Sequence, residues 1–285
     1  LEKKIITARE IFQDAKAAYI SDKKFIGTTT LLGLFLPMVL LSFALDLSGI
    51  SAAQGLRDSF FANSSQGKQF ADYLAQILPY FSSVMFSSVL IFLIITACYN
   101  IIGARVSARA RGLVFEGTFA SALVKAVPTS LAILVMLAFT SLIAQIALFP
   151  AIFILCLATM FPVLAFTEGR GAFKALWHAI TIRYTRGRSV SRWNVFFNLI
   201  SIGAFCYTLF VVFAFLGDAL LNADTFIALP RSLWYINFPG TDLGLIYTFV
   251  SLLESFTLSV VLVALCLLTN SLYFKTREQK IIAVA

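Results

Sequence analysis

Ionisable chemistry is sparse in this chain: 13% of its 285 residues are charged, and it has one histidine and four cysteines. The lone imidazole, His178, cannot build a histidine-based metal site by itself. Cys98, Cys156, Cys206 and Cys266 are spaced too widely for a CxxC metal or redox motif. Each falls within an apolar run and none in an outer loop, where an oxidising compartment would permit a disulfide. They read as small buried apolar side chains. No G-x-S-x-G, Walker A, HExxH or G-x-G-x-x-G pattern occurs. These absences point to a protein that is not an enzyme and that holds no metal and no cofactor.

What the chain has instead is apolar length. Six segments, about 25–45, 79–102, 126–148, 149–166, 193–217 and 243–274, are each apolar enough to cross a bilayer. A hydrocarbon core of roughly 30 Å requires about 20 such helical residues. The cations alternate around these runs. Of the 22 Lys and Arg residues, all but Arg57, Lys68 and Arg231 fall in the first, third, fifth and seventh flanking segments. The other segments carry Asp46, Asp58, Asp72, Asp218, Asp224 and Asp242, spread without metal-ligand spacing. Basic loops mark the cytoplasmic side. The expected fold is therefore an all-α integral membrane protein with six transmembrane helices, one membrane domain over 1–285, and both termini cytoplasmic. The formal net charge of +8 is a sidedness signal and not a nucleic-acid footprint. The first span follows a polar, basic lead and reads as a mature helix, not as a cleaved signal.

An internal repeat is suggested by two basic-side segments. Glu116–Val127 reads EGTFASALVKAV and Glu168–Ile180 reads EGRGAFKALWHAI, and each leads towards a span. The lead Ile5–Lys24 is also amphipathic, through Ile5, Phe12, Ala15 and Tyr19. Three units are expected, each a cytoplasmic interfacial elbow helix followed by two antiparallel spans. In the third elbow Phe173, Leu176, Trp177, Ile180 and Tyr184 fall on one helical face. Lys174 and Arg183 lie elsewhere, and Arg186, Arg188 and Arg192 follow. An apolar stripe with Trp bordered by cations suits the bilayer surface, and anionic headgroups on the cytoplasmic side are the expected partners. Pro128 and Pro150 suit the first turns of helices, whereas Pro37 and Pro162 should kink the spans that contain them.

The stretch from Arg111 to Arg192 resembles the YciC-like family of bacterial inner-membrane proteins. It is similar also to the membrane domain that precedes some glycerophosphodiester phosphodiesterases. The elements that carry the likeness are EGTFASALVKAVP, the hairpin turn IALFPAIFI, and FPVLAFTEGRGAFKALWHAITIRYTRGR. Phe149-Pro150-Ala151 stands where the family usually turns on Pro-Gly, and Ala179 stands where Ser is common. The resemblance implies a six-span helical protein of the bacterial inner membrane. It carries over no activity and no site residues.

Glu254 is the sharpest polar candidate, placed near the middle of the last apolar run with Tyr247 and Ser251 on the same face. An acid at that depth costs about 2.5–3.5 kcal/mol on insertion scales and belongs inside a bundle. It can serve proton or cation coupling, or it can be a protonated group that locks helix packing. Gln145, Tyr207 and Thr208 are its candidate partners, and Ser83, Ser87 and Ser88 form a second polar stripe that suits close packing. The leading expectation is a non-enzymatic role in envelope or lipid organisation, or as the membrane subunit of an assembly, with a protein partner or a second copy allowed. A small secondary transporter or channel using Glu254 is the alternative.

Overall fold

The computed structural model describes residues 5–40, 68–112, 117–167, 171–185, 190–221 and 243–282, and these are almost wholly helical, with no strand among them. In chain order the α-helices are α1 (Ala8–Ser21), α2 (Lys23–Thr29), α3 (Lys68–Ala110), α4 (Phe119–Ile146), α5 (Leu148–Ala158), α6 (Phe161–Thr167), α7 (Ala172–Ile180), α8 (Arg192–Leu221) and α9 (Leu243–Ile282). A π-helical turn, Thr30–Phe35, continues α2, and a 3-10 turn, Arg183–Thr185, follows α7. Six stretches are long and apolar enough to span a membrane: Lys23–Leu40, Val89–Ala110, Phe119–Ile146, Leu148–Ala165, Arg192–Val212 and Ser255–Arg277.

Local chemistry sets the helix ends. Thr7 starts α1 with a capping box: its hydroxyl accepts from the Glu10 amide at 3.4 Å and its own amide donates to Glu10 Oε2 at 3.1 Å. Thr118 caps α4 in the same way, accepting from the Ser121 amide at 3.2 Å. Gly112, at φ 69°, supplies the left-handed residue just beyond α3, donating to the Arg109 carbonyl at 2.9 Å.

Proline positions explain the irregular spans. Pro37 has no N–H to give the carbonyl four residues back, and just before it the chain widens into the π turn, in which the Leu36 amide reaches the Leu31 carbonyl. Near Pro162 the expected kink is a full break, with Thr159 and Met160 forming a turn between α5 and α6. Pro150 lies in the first turn of α5, as expected, and the hairpin itself turns at extended Ala147. Pro128 departs from expectation: it lies inside α4 and not in a first turn. Residues 119–127 therefore run unbroken into the span, and the second elbow is not a separate helix. The Thr129 hydroxyl donates to the Lys125 carbonyl at 2.8 Å, one residue along from the Val124 carbonyl that Pro128 leaves without an N–H.

The bundle is organised around α9. Two thirds of the apolar 18-residue core of Ser255–Arg277 is buried (67%), against 28% of the corresponding cores of Lys23–Leu40, Phe119–Ile146 and Arg192–Val212. It packs on α1, the π turn, α3, α6 and α8. Two close approaches use glycine. A Cβ on Gly33 would lie 2.9 Å from Cys98 Cβ, and one on Gly203 would lie 2.8 Å from Cys156 Sγ. Small residues let helices approach where hydrophobicity alone cannot drive them together. All four cysteines are free, three of them buried and Cys156 half-buried.

Candidate functional site: the basic end of the bundle

Three polar anchors tie the N-terminal segment across three different helices. At Ile6, the backbone amide donates to Asn194 Oδ1 at 3.1 Å, and the carbonyl accepts from Asn194 Nδ2 and Asn198 Nδ2, both at 3.1 Å. Halfway along α1, Asp14 Oδ2 pairs with Lys275 Nζ of α9 at 3.1 Å. At the joint between α1 and α2, Asp22 Oδ1 receives Arg105 Nη2 at 3.2 Å and Arg109 Nη1 at 2.8 Å, both from α3. These contacts gather the start of α2, the end of α3, the start of α8 and the end of α9 at one end of the bundle. That end holds Lys23, Lys24, Arg105, Arg109, Arg111, Arg192, Lys275 and Arg277.

Electrostatics at the joint are specific. Burial works to raise the pKa of the Asp22 carboxyl, but the hydrogen bonds from Arg105 and Arg109 outweigh it and hold the group below the ordinary carboxylate value. Arg105 also lies over the Phe25 ring, 4.1 Å from its centroid. Arg109 gives a further bond to the Ser21 carbonyl at 2.9 Å, closing the last turn of α1. Deeper in, Ser107 donates to Asn270 Oδ1 at 2.8 Å and joins α3 to the central helix.

On α7 the sequence-derived stripe divides. Ala172, Ala175, Leu176 and Ala179 are buried, whereas Phe173 and Trp177 are about half exposed, at 51% and 55%. The alanine methyls let α7 seat closely on its neighbours, and the aromatic flank is left facing outward. Lys174, Arg183 and Arg192 are exposed and form no ion pair with described residues, and Trp193 is exposed beside Arg192. Ile182, just after α7, takes a positive φ of 49°, where its amide donates to the Ala179 carbonyl. Arg186 and Arg188 lie outside the described residues, as does the Tyr184 side chain.

Tyr247, Ser251 and Glu254 belong to α9, but their side chains lie outside the described residues, as do those of Ser83, Ser87 and Ser88. The partners expected for Glu254 face away from the interior. Gln145 and Tyr207 are exposed, and the exposed Thr208 hydroxyl donates to the Ala204 carbonyl of its own helix at 2.8 Å. Sequence reasoning missed Asp22, Asn194 and Asn198. A signal existed for Asp22: it continues the face of Ile11, Ala15 and Ala18 at helical spacing, and all of that face is buried or half-buried. Nothing local marks the asparagines, because their shared partner is the backbone of Ile6, 188 and 192 residues away in the chain. Comparison with protein-family models, with curated proteins and with solved structures finds no match.

Proposed function

We propose that this is a non-enzymatic multi-pass protein of a bacterial inner membrane, with its basic end towards the cytoplasm, that organises anionic lipid or seats a larger membrane assembly. The observation that carries this reading is the outward pairing of Phe173, Trp177 and Trp193 with Lys174, Arg183 and Arg192 on neighbouring segments. Aromatic rings favour the headgroup level, and each cation near an anionic surface contributes about 1 kcal/mol. In this reading α1 and α7 are interfacial elbows, lying across the basic end with one flank on protein and one towards lipid. The second unit of the repeat has its elbow fused to its span in α4. A relationship to the YciC-like family agrees with this arrangement.

Mass spectrometry of lipid that survives purification tests the reading. Enrichment of anionic phospholipid over the bulk membrane is expected, and a retained pool matching the bulk would overturn it. Proton or cation flux in proteoliposomes that vanishes in Glu254→Gln would replace it with the secondary-transporter alternative.

A further inference from the structure

The corner where α1, α2 and α3 meet offers more hydrogen-bond donors than its one acid uses. Arg105 and Arg109 stand one helical turn apart, and each gives a single nitrogen to the same oxygen, Asp22 Oδ1. A guanidinium carries five N–H donors in a planar fork. Beyond the Ser21 carbonyl, the rest of both forks meets no described acceptor. The Arg109 side chain is 54% exposed and the Arg105 side chain 35%. Lys23 and Lys24 follow Asp22 directly, are exposed, and form no ion pair with described residues. Two cations thus share one carboxylate, and two more follow it directly in the chain.

Two tethers fix where the forks stand. The common carboxylate holds both arginines from below, and the Phe25 ring holds Arg105 at 4.1 Å. Ile20, near the end of α1, and Leu31 and Leu32, in the π turn that continues α2, are exposed apolar side chains. Free guanidinium donors and exposed apolar side chains thus belong to one continuous run of helix and the arginines it holds. Paired guanidinium groups match a phosphate better than a single ammonium does, because planar forks bind two oxygens at once.

We propose that this corner binds the headgroup phosphate of one anionic phospholipid, with Arg105 and Arg109 as the grip and Lys23 and Lys24 alongside. The proposal rests on the lipid-organising reading above but is narrower, naming one site away from α7. A soluble phosphate offers the same oxyanion, and the exposed apolar side chains favour the lipid source.

Native mass spectrometry of the full chain in detergent, titrated with phosphatidylglycerol or phosphatidylcholine, tests it. One phosphatidylglycerol should outlast phosphatidylcholine on the wild type. Arg109→Gln should lower its retention about tenfold through the loss of a charge-assisted contact. The double variant Lys23→Gln/Lys24→Gln should act in the same direction; it breaks no ion pair with a described residue, so it keeps the test open should Arg109→Gln fail to fold. Lys174→Gln/Arg192→Gln should leave that tightest lipid in place. Unchanged retention in the lysine variant would overturn the site, as would displacement of the lipid by inorganic phosphate. Equal loss in the Lys174→Gln/Arg192→Gln protein would also overturn it, in favour of diffuse attraction that leaves the broader reading standing. No preference for the anionic lipid anywhere would overturn both.

Discussion

Asp22, at the joint between α1 and α2, meets Arg109 of α3 at 2.8 Å, the carboxylate buried and the guanidinium half in the open. Because the arginine bonds hold the Asp22 pKa down, the stabilisation they give is fully present above the unfolded carboxylate value of about 3.9. It is lost as pH falls through the lower folded value. Melting temperature in detergent should therefore drop below about pH 4, more steeply in wild type than in Asp22→Asn. At neutral pH, Asp22→Asn should cost about 2 kcal/mol, the range for hydrogen bonds to charged groups. Equal acid sensitivity in the two proteins would remove Asp22 as the cause.

Asn198→Ala should loosen the N-terminal segment without unfolding the bundle. The Asn198 amide bonds both the Ile6 carbonyl at 3.1 Å and the Asn194 carbonyl at 2.8 Å, so its loss removes two hydrogen bonds at about 0.5–1.5 kcal/mol each, while Asn194 Nδ2 still holds the Ile6 carbonyl. Hydrogen exchange at 6–12 should accelerate while that of α9 stays protected. Acceleration spread evenly over all helices would contradict the clamp.

Gly33→Ala should destabilise by about 1–3 kcal/mol, since the added methyl collides with Cys98 on the facing helix. The variant Gly33→Ala/Cys98→Ala should recover part of that loss. A double-mutant cycle on thermal denaturation measures the coupling, and additive effects would mean that the two positions do not touch.

Asn100 tests the polar interior. It is 3% exposed, and neither end of its amide has a hydrogen-bond partner among the described residues. Such a group costs about 1–3 kcal/mol, so Asn100→Leu, which keeps the branching and the number of side-chain heavy atoms, should raise the melting temperature. A fall would show that the amide is needed where it stands.

Particular residues show how far the sequence could be read. The break near Pro162, the first-turn place of Pro150 and the six apolar runs follow from backbone chemistry and length, both local properties. Pro128 was misplaced because an N-terminal signal, Thr118, lies far enough upstream to start one long helix that absorbs the elbow. Phe173 and Trp177 share a helical face with Leu176, yet only Leu176 is buried. Periodicity gives the face of a helix, and the seating of Ala175 and Ala179 decided which flank of it was covered.

By itself the sequence settles that six stretches are apolar enough to cross a membrane as helices, and that all but three of the cations fall in alternate flanking segments. Partition of a long apolar run into lipid needs no information from the rest of the chain. Only the tertiary structure decides that the last helix is the central one, that Ile6 rests on Asn194 and Asn198, and that Asp22 is shared by two arginines. The physical reason is that lipid tails are as apolar as the bundle interior. Hydropathy therefore cannot tell a lipid-facing leucine from a buried one, and the discriminating contacts are a few small-residue approaches and polar bonds between segments far apart in the chain.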